Sequence, residues 1–196
     1  MKNGLTDAMI DLETLDTRPS ALVLSIGVVL FNRRDPSVKM EGLNLIFGLK
    51  EYRDAQIKVR RTVCKETVAW WKKQSPEARV IFKQGNVKSV VHALEKLTHF
   101  LTKGDTNLLV WGNGASFDNA ITVSLYESFA MEAPWKFWND RCFRTFKGEH
   151  GHIARPPDFK GVKHNAEDDA RQQALYLQAM YTELQKYNIQ SFKDRQ

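Results

Sequence analysis

A carboxylate is rarely placed inside an apolar run, because burying its charge is costly unless a partner or a cation compensates it. Three stretches of this 196-residue chain do so. In Met9-Ile10-Asp11-Leu12-Glu13-Thr14 the acids lie two apart. On a strand they would share a face and repel, with one pKa raised unless a cation sits between them. In Val110-Trp111-Gly112-Asn113-Gly114-Ala115-Ser116-Phe117-Asp118 an apolar segment runs through a Gly-rich turn to an acid at a helix start. In His164-Asn165-Ala166-Glu167-Asp168-Asp169-Ala170, Asp169 borders an apolar stripe while Glu167 and Asp168 point toward solvent. His164 precedes that helix closely enough to lean over its carboxylate face. Taken singly, each has an ordinary explanation: a strand end at solvent, an acid favoured by free helix amides, or an acidic first turn beside a surface histidine. Taken together, Asp11, Glu13, Asp118 and Asp169 can converge on one sheet edge, where they would need cations. Oxygen-only ligands select hard ions such as Mg²⁺ or Mn²⁺. Two such ions roughly 3.5–4 Å apart are a standard means of hydrolysing a phosphodiester, and a nearby histidine can take the proton of the attacking water. The set offers nothing for acyl transfer, hydride transfer or glycoside chemistry.

Patterning indicates the elements that must position these groups. Residues 8–12, 21–31 and 43–49 are apolar runs separated by turn formers, which predicts an antiparallel meander. The run 21–31 is apolar on both faces and reads as a central strand. Residues 67–73 read as a short helix carrying Trp70 and Trp71; Ser75 caps a second, with Pro76 at its first position. Helical spacing continues over 87–101, followed by a buried strand at 108–111, a helix at 117–130 and a last short strand within 135–143. The final helix runs over about 166–186 on the stripe Ala166, Ala170, Ala174, Leu177, Tyr181 and Leu184. Asn165 is its expected N-cap, with Asp168 in the capping-box position. The expected fold class is α/β: a mixed β-sheet with an N-terminal antiparallel meander, flanked by helices.

The length suits one domain, expected over residues 1–196. Apolar residues at 42% and charged residues at 27% exclude a disordered or collagen-like chain. Two distant cysteines, Cys64 and Cys142, exclude a disulfide scaffold and fit reduced thiols, read here as small buried hydrophobes. No run reaches the roughly 20 apolar residues of a membrane span, and no stretch resembles a signal peptide. The expectation is a soluble cytoplasmic protein with no membrane partner. A net charge of +6 and a pI near 9.3 favour a polyanionic partner, nucleic acid first. The run Arg53, Lys58, Arg60, Arg61 and Lys65 is either a solvated loop or a track for a single-stranded backbone. Arg141, Arg144 and Lys147 are open to the same two readings, and Lys160 and Lys163 make the approach to His164 basic. The oligomeric state, a homodimer included, stays open.

At the acidic motifs the sequence resembles the DEDDh 3′–5′ exonucleases, which have a ribonuclease H-like fold. Their pattern is Asp-x-Glu on the first strand, a central Asp, and His-x-x-x-x-Asp near the end. Asp11, Glu13, Asp118, His164 and Asp169 match it in order. The DexA-type phage exonucleases and their Rv2179c-like bacterial relatives are the branch it resembles most. Val68-Ala69-Trp70-Trp71-Lys72-Lys73-Gln74-Ser75-Pro76-Glu77-Ala78-Arg79 and Lys136-Phe137-Trp138-Asn139-Asp140-Arg141 carry that resemblance, which extends from Asp11 to about Tyr181. It implies metal-dependent, stepwise hydrolysis of single-stranded DNA or RNA from a free 3′ end, releasing nucleoside 5′-monophosphates. It further implies that Asp11, Glu13, Asp118 and Asp169 hold two Mg²⁺ or Mn²⁺ ions, with His164 as general base. Thr14 and Leu15 would line the pocket of the terminal nucleotide. Trp70 and Trp71, both candidate substrate contacts, cannot both face the core of a short helix: either one stacks on a base, or one is core and the other covers a loop. Arg144 completes the expected substrate contacts. The branch favours DNA and suggests a phage or prophage source. An exoribonuclease trimming RNA 3′ ends is the alternative within the class. A catalytically silent nucleic-acid-binding module is the alternative outside it, and the intact acids argue against that.

Overall fold

The computed structural model describes residues 3–193, with side chains to Tyr187. Strand β1 (Asp7–Thr14) alternates, with Ala8, Ile10 and Leu12 in one hydrophobic cluster and Met9 in another on the opposite face. β1 pairs antiparallel with β2 (Val23–Phe31), which pairs antiparallel with β3 (Glu41–Ile46). On its other side β1 runs parallel to β4 (Leu109–Gly112), and β4 parallel to β5 (Asp140–Cys142). The order β3-β2-β1-β4-β5 therefore contains the expected meander inside a mixed sheet. All of β2 is buried, as a strand apolar on both faces requires.

Helices α1 (Lys50–Lys58), α2 (Lys65–Lys72), α3 (Pro76–Arg79), α4 (Val90–Leu101), α5 (Asp118–Ser128), α6 (Phe143–His150) and α7 (Ala166–Lys193) flank the sheet. Leu94, Leu97, Ile121 and Leu125 of α4 and α5 cover the Ala8–Ile10–Leu12 face. Ala170, Ala174, Leu177 and Met180 of α7 cover Met9, Val29 and Trp111 on the other. Ser75 caps α3 as expected, its Oγ accepting from the Ala78 amide at 3.2 Å. Asn165 caps α7, its Oδ1 accepting from the amides of Glu167 and Asp168 at 3.2 and 3.3 Å. Asp168 does not close the capping box: its carboxylate accepts from the Val162 amide at 2.9 Å instead. Among the described residues no helix is long and apolar enough to cross a membrane.

Part of the basic run turns out to be structural. Arg53 and Lys58 lie on α1, a helix the sequence pattern does not announce. Gln56 is the buried residue of that helix, and its amide accepts from the Val23 amide at 2.9 Å and donates to the Val23 carbonyl at 2.8 Å. Arg61 is buried and donates to the carbonyls of Ala21 and Pro19 and to Ser124 Oγ. Burial pushes its guanidinium down to about 10, and it offers no contact to a nucleic-acid backbone.

At the N-terminal end of β1 a buried ion pair anchors the sheet. Arg33 Nη1 lies 2.7 Å from Asp7 Oδ1. The same carboxylate accepts from Trp111 Nε1 at 2.9 Å and from Thr6 Oγ1 at 2.6 Å. Asp7→Ala would leave the guanidinium and the indole N–H without their acceptor. We expect a loss of about 3–5 kcal/mol in urea unfolding at neutral pH, and a loss under about 1 kcal/mol would show the pair to be dispensable.

Candidate active site

The C-terminal end of β1 brings two acids to the face covered by α7. Asp11 stands opposite Gly27 of β2 and Glu13 opposite Ser25, and the pairing becomes irregular between Glu13 and Thr14. β4 ends at Gly112, and the turn behind it delivers Asp118 as the first residue of α5. Asn119 holds that turn down, its Nδ2 donating to the Val110 carbonyl at 2.9 Å and to Asp140 Oδ1 at 2.8 Å. Trp135 Nε1 donates to the same Asp140 oxygen at 2.8 Å. Asp169 comes from the first turn of α7 and accepts from the His164 amide at 2.8 Å.

Two glycines make the convergence sterically feasible. A Cβ at Gly27 would collide with the Ala166 carbonyl and the Glu167 amide, so only glycine lets the start of α7 rest on β2 beside Asp11. A Cβ at Gly112 would fall 2.9 Å from the Asp118 Cβ.

The four acids feel one another. Burial, then the charges of Asp118 and Asp169, push Asp11 well above the usual carboxylate range; a hydrogen bond from Gln173 opposes the rise. Burial, then Asp11, Asp169 and Asp118, push Glu13 up likewise. Burial raises Asp118 to about 7, against the amides of Asn113 and Leu12 and the Arg144 guanidinium. Asp169 is also raised by burial, opposed by His164 and Lys163. Asp118 Oδ2 is buried with no hydrogen-bond partner. Oxygen donors that are crowded, desolvated and partly unpartnered fit a hard divalent cation. Glu13, His164 and Asp169 each bring one ligand atom to within 4.8 Å of the others.

His164 has left-handed backbone geometry, with φ at 65°. Its Nδ1 lies 3.9 Å from Glu13 Oε1, and its ring meets the edge of Trp70 at a centroid distance of 5.0 Å. Trp70 is 42% exposed and, with Glu13, Thr14, Thr67 and Phe117, lines an open cleft of about 460 Å³. Arg144 approaches from the other side, its guanidinium carbon 3.6 Å from where a Gly114 Cβ would stand.

Two expected substrate contacts are placed elsewhere. Trp71 is only 2% exposed and its Nε1 donates to the Thr14 carbonyl at 2.8 Å, so no face is free for a base. Leu15 packs with Trp71, Leu22 and Leu24 rather than on the cleft wall. Both shape the cleft by supporting the end of β1. Gln173 is a site residue that the sequence reading missed: its Nε2 donates to Asp11 Oδ1 at 2.7 Å. Its position four residues after Asp169, on the same helix face, was the available signal. Cys64 and Cys142 are only partly buried, and neither lies in the apolar clusters.

A family profile described as the 3′–5′ exoribonuclease Rv2179c-like domain matches residues 6–181. An exodeoxyribonuclease of enterobacteria phage T4 is 29% identical over 163 residues, 71% of this chain and 69% of the relative. The crystal structure of cell-death related nuclease 4 (CRN-4) superposes with a TM-score of 0.57 at 13% identity, over 90% of this chain. The chain spans 63% of that nuclease, and the likeness shows the ribonuclease H-like fold.

The raised carboxylates set a pH dependence. An acid whose pKa is higher folded than unfolded binds its proton more tightly in the folded protein, so its stabilising contribution is complete below the unfolded value, about 4. That contribution is lost as pH rises toward the folded value, about 7 for Asp118. In chelator the unfolding midpoint should therefore fall between about pH 4 and about pH 7. Saturating Mn²⁺ should remove much of the fall, and Asp118→Asn should make the metal-free profile flatter. A metal-free profile equally steep in Asp118→Asn would place the titration elsewhere.

Proposed function

This chain belongs to the family of the 3′–5′ exoribonuclease Rv2179c-like domain and is a hydrolytic 3′–5′ exonuclease, and we propose that it trims single-stranded ends, DNA in preference to RNA, with His164 as general base. The observation that carries this reading is the meeting of four pKa-raised or desolvated carboxylates from β1, α5 and α7 beside one histidine. Family membership implies dependence on a divalent metal. Two Mg²⁺ or Mn²⁺ ions held by Asp11, Glu13, Asp118 and Asp169 would acidify the attacking water and neutralise the leaving oxygen. The protein's own groups do the rest. Thr14, Phe117 and Trp70 seat the terminal nucleotide in the cleft beside Glu13. Arg144 meets a backbone phosphate at the Asp118 side. His164 takes the water's proton on a ring nitrogen, with its backbone held through Asp169. The product is a nucleoside 5′-monophosphate, and the catalytic unit is the single domain of residues 1–196.

The preference for DNA rests on the phage relative, whose name specifies DNA. The family description names RNA, which favours an exoribonuclease as the second reading. Matched DNA and RNA oligonucleotides labelled at the 5′ end, incubated with Mn²⁺ and resolved on a sequencing gel, separate the two. We expect a ladder shortening from the 3′ end, abolished by chelator and faster on DNA; a faster RNA ladder reverses the preference.

Asp11→Ala and Asp169→Ala should abolish turnover while oligonucleotide binding persists. His164→Ala should lower kcat by about 10²–10⁴-fold. An unchanged pH–rate profile in that variant would remove His164 as the base.

A further inference from the structure

The connection from α5 to β5 carries two large aromatics that the fold leaves uncovered. Phe137 is 79% exposed and Trp138 is 61% exposed. They sit on the 3₁₀ turn Phe137–Asn139, edge to face at 5.0 Å and 78°. Contiguous exposed aromatic surface is where a protein makes contacts with partners or ligands. The surroundings identify the partner. Lys136 is exposed beside the pair. Arg141 Nη1 donates to the carbonyls of Trp138 and Asp140 at 2.8 and 2.7 Å, which places a guanidinium directly against the aromatic turn. The acid in the same stretch, Asp140, spends its Oδ1 on Asn119 and Trp135 of the interior. Across the adjoining cleft Asp105 accepts from Thr106, so the local surface is two stacking faces with two cations, Lys136 and Arg141, against one engaged acid, the chemistry of single-strand binding.

The short strand β5 links the patch to the catalytic end of the sheet. β5 is the edge strand and runs parallel to β4, from the aromatic turn toward the end that carries Gly112 and Asp118. Immediately after β5, α6 presents Arg144, whose charge acts on Asp118. Trp138 and Arg144 are six residues apart in sequence, so they are at most about 20 Å apart. One sheet edge therefore offers, in order, two stacking faces, a guanidinium, and a second guanidinium at the carboxylates.

We propose that the β5 edge is the path of the substrate strand upstream of the scissile bond. Phosphates meet Arg144 and then Arg141, and unpaired bases stack on Trp138 and Phe137. The path rests on the exonuclease reading and deepens it, since it makes the enzyme a reader of single-stranded length. Bases of a duplex are already stacked on one another and have no face to give to Trp138.

The test compares wild type with Phe137→Ser/Trp138→Ser and with Phe137→Tyr/Trp138→Phe, on a dinucleotide and on a single strand of about ten nucleotides. Both positions are solvent-facing, and a thermal melt verifies that each variant folds. With base–aromatic stacking worth about 5- to 150-fold per base, the Ser pair should raise KM for the long strand at least about tenfold with kcat unchanged. Its KM for the dinucleotide should not move, and the aromatic pair should restore wild-type behaviour. Anisotropy of a labelled long strand in chelator should show the same loss of affinity without any turnover. Equal effects on both lengths, or none, would overturn the path. So would sedimentation showing a wild-type dimer that the Ser pair dissociates, because the patch would then be a subunit interface. A wild-type protein that cuts neither substrate would defeat the exonuclease reading; the anisotropy arm would still decide the path.

Discussion

Four carboxylates that repel one another are held in place by the packing of one helix on one sheet. Two unit charges about 5 Å apart cost roughly 3 kcal/mol at the effective dielectric of a protein near its surface. Each fully buried Leu or Met contributes about 1.5–3 kcal/mol in return. α7 buries Leu177 and Met180 completely and adds Ala170 and Ala174, whose small side chains let the helix approach β1 and β2 closely. Packing therefore outweighs the repulsion of any one pair, and what remains of the repulsion shows as carboxylates pushed above their usual range. Gly27 lies at the point where this balance is most sensitive. The start of α7 occupies the space of its missing side chain, and Asp11 is its partner across the strands.

The two ends of β1 treat charge in opposite ways. At Asp7 the protein supplies everything the carboxylate needs: a guanidinium, an indole N–H and a hydroxyl. That end is closed and structural. Asp11, on the same strand, receives one neutral amide from Gln173. An amide fixes one carboxylate oxygen while leaving the negative charge of the cluster undiminished. A lysine or arginine in that place would neutralise the cluster from inside and remove its demand for an external cation. One strand thus carries a satisfied acid for stability and unsatisfied acids for chemistry, separated by Met9 and its apolar neighbours.

The acids were legible in the sequence because carboxylates inside apolar runs are rare, and their contexts of strand, Gly turn and helix start were local patterns. The meander and α7 were legible for the same reason, through runs and stripes. What stayed hidden depended on partners far along the chain. α1 is mostly polar, and Gln56 earns its buried place only by pairing with the Val23 backbone. Arg61 reads in the sequence as part of a basic track, because its carbonyl partners on the β1–β2 connection lie some 40 residues away. The pair Trp70 and Trp71 signalled one buried and one exposed ring, but which was which depended on the Thr14 carbonyl, 57 residues away from Trp71. Gly27 read as an interruption in an apolar strand, and its reason lies in the backbone of Ala166 and Glu167.

The placement of His164 follows from the same dependence on α7. A non-glycine residue in the left-handed region costs on the order of 1–3 kcal/mol unless its surroundings enforce it. Here they do: its amide donates to Asp169, the Val162 amide two residues earlier donates to Asp168, and Asn165 caps the helix with its side chain. Successive first-turn acids of α7 therefore serve the loop that carries the histidine, and Trp70 closes against the ring from the cleft side. Asp169 has a double duty, with one oxygen on the His164 amide and its charge within the carboxylate cluster. The histidine and this carboxylate consequently move as one unit with the start of α7. Any shift of that helix end, whether from a side chain at Gly27 or from a change in the charge of the cluster, displaces both together rather than either alone.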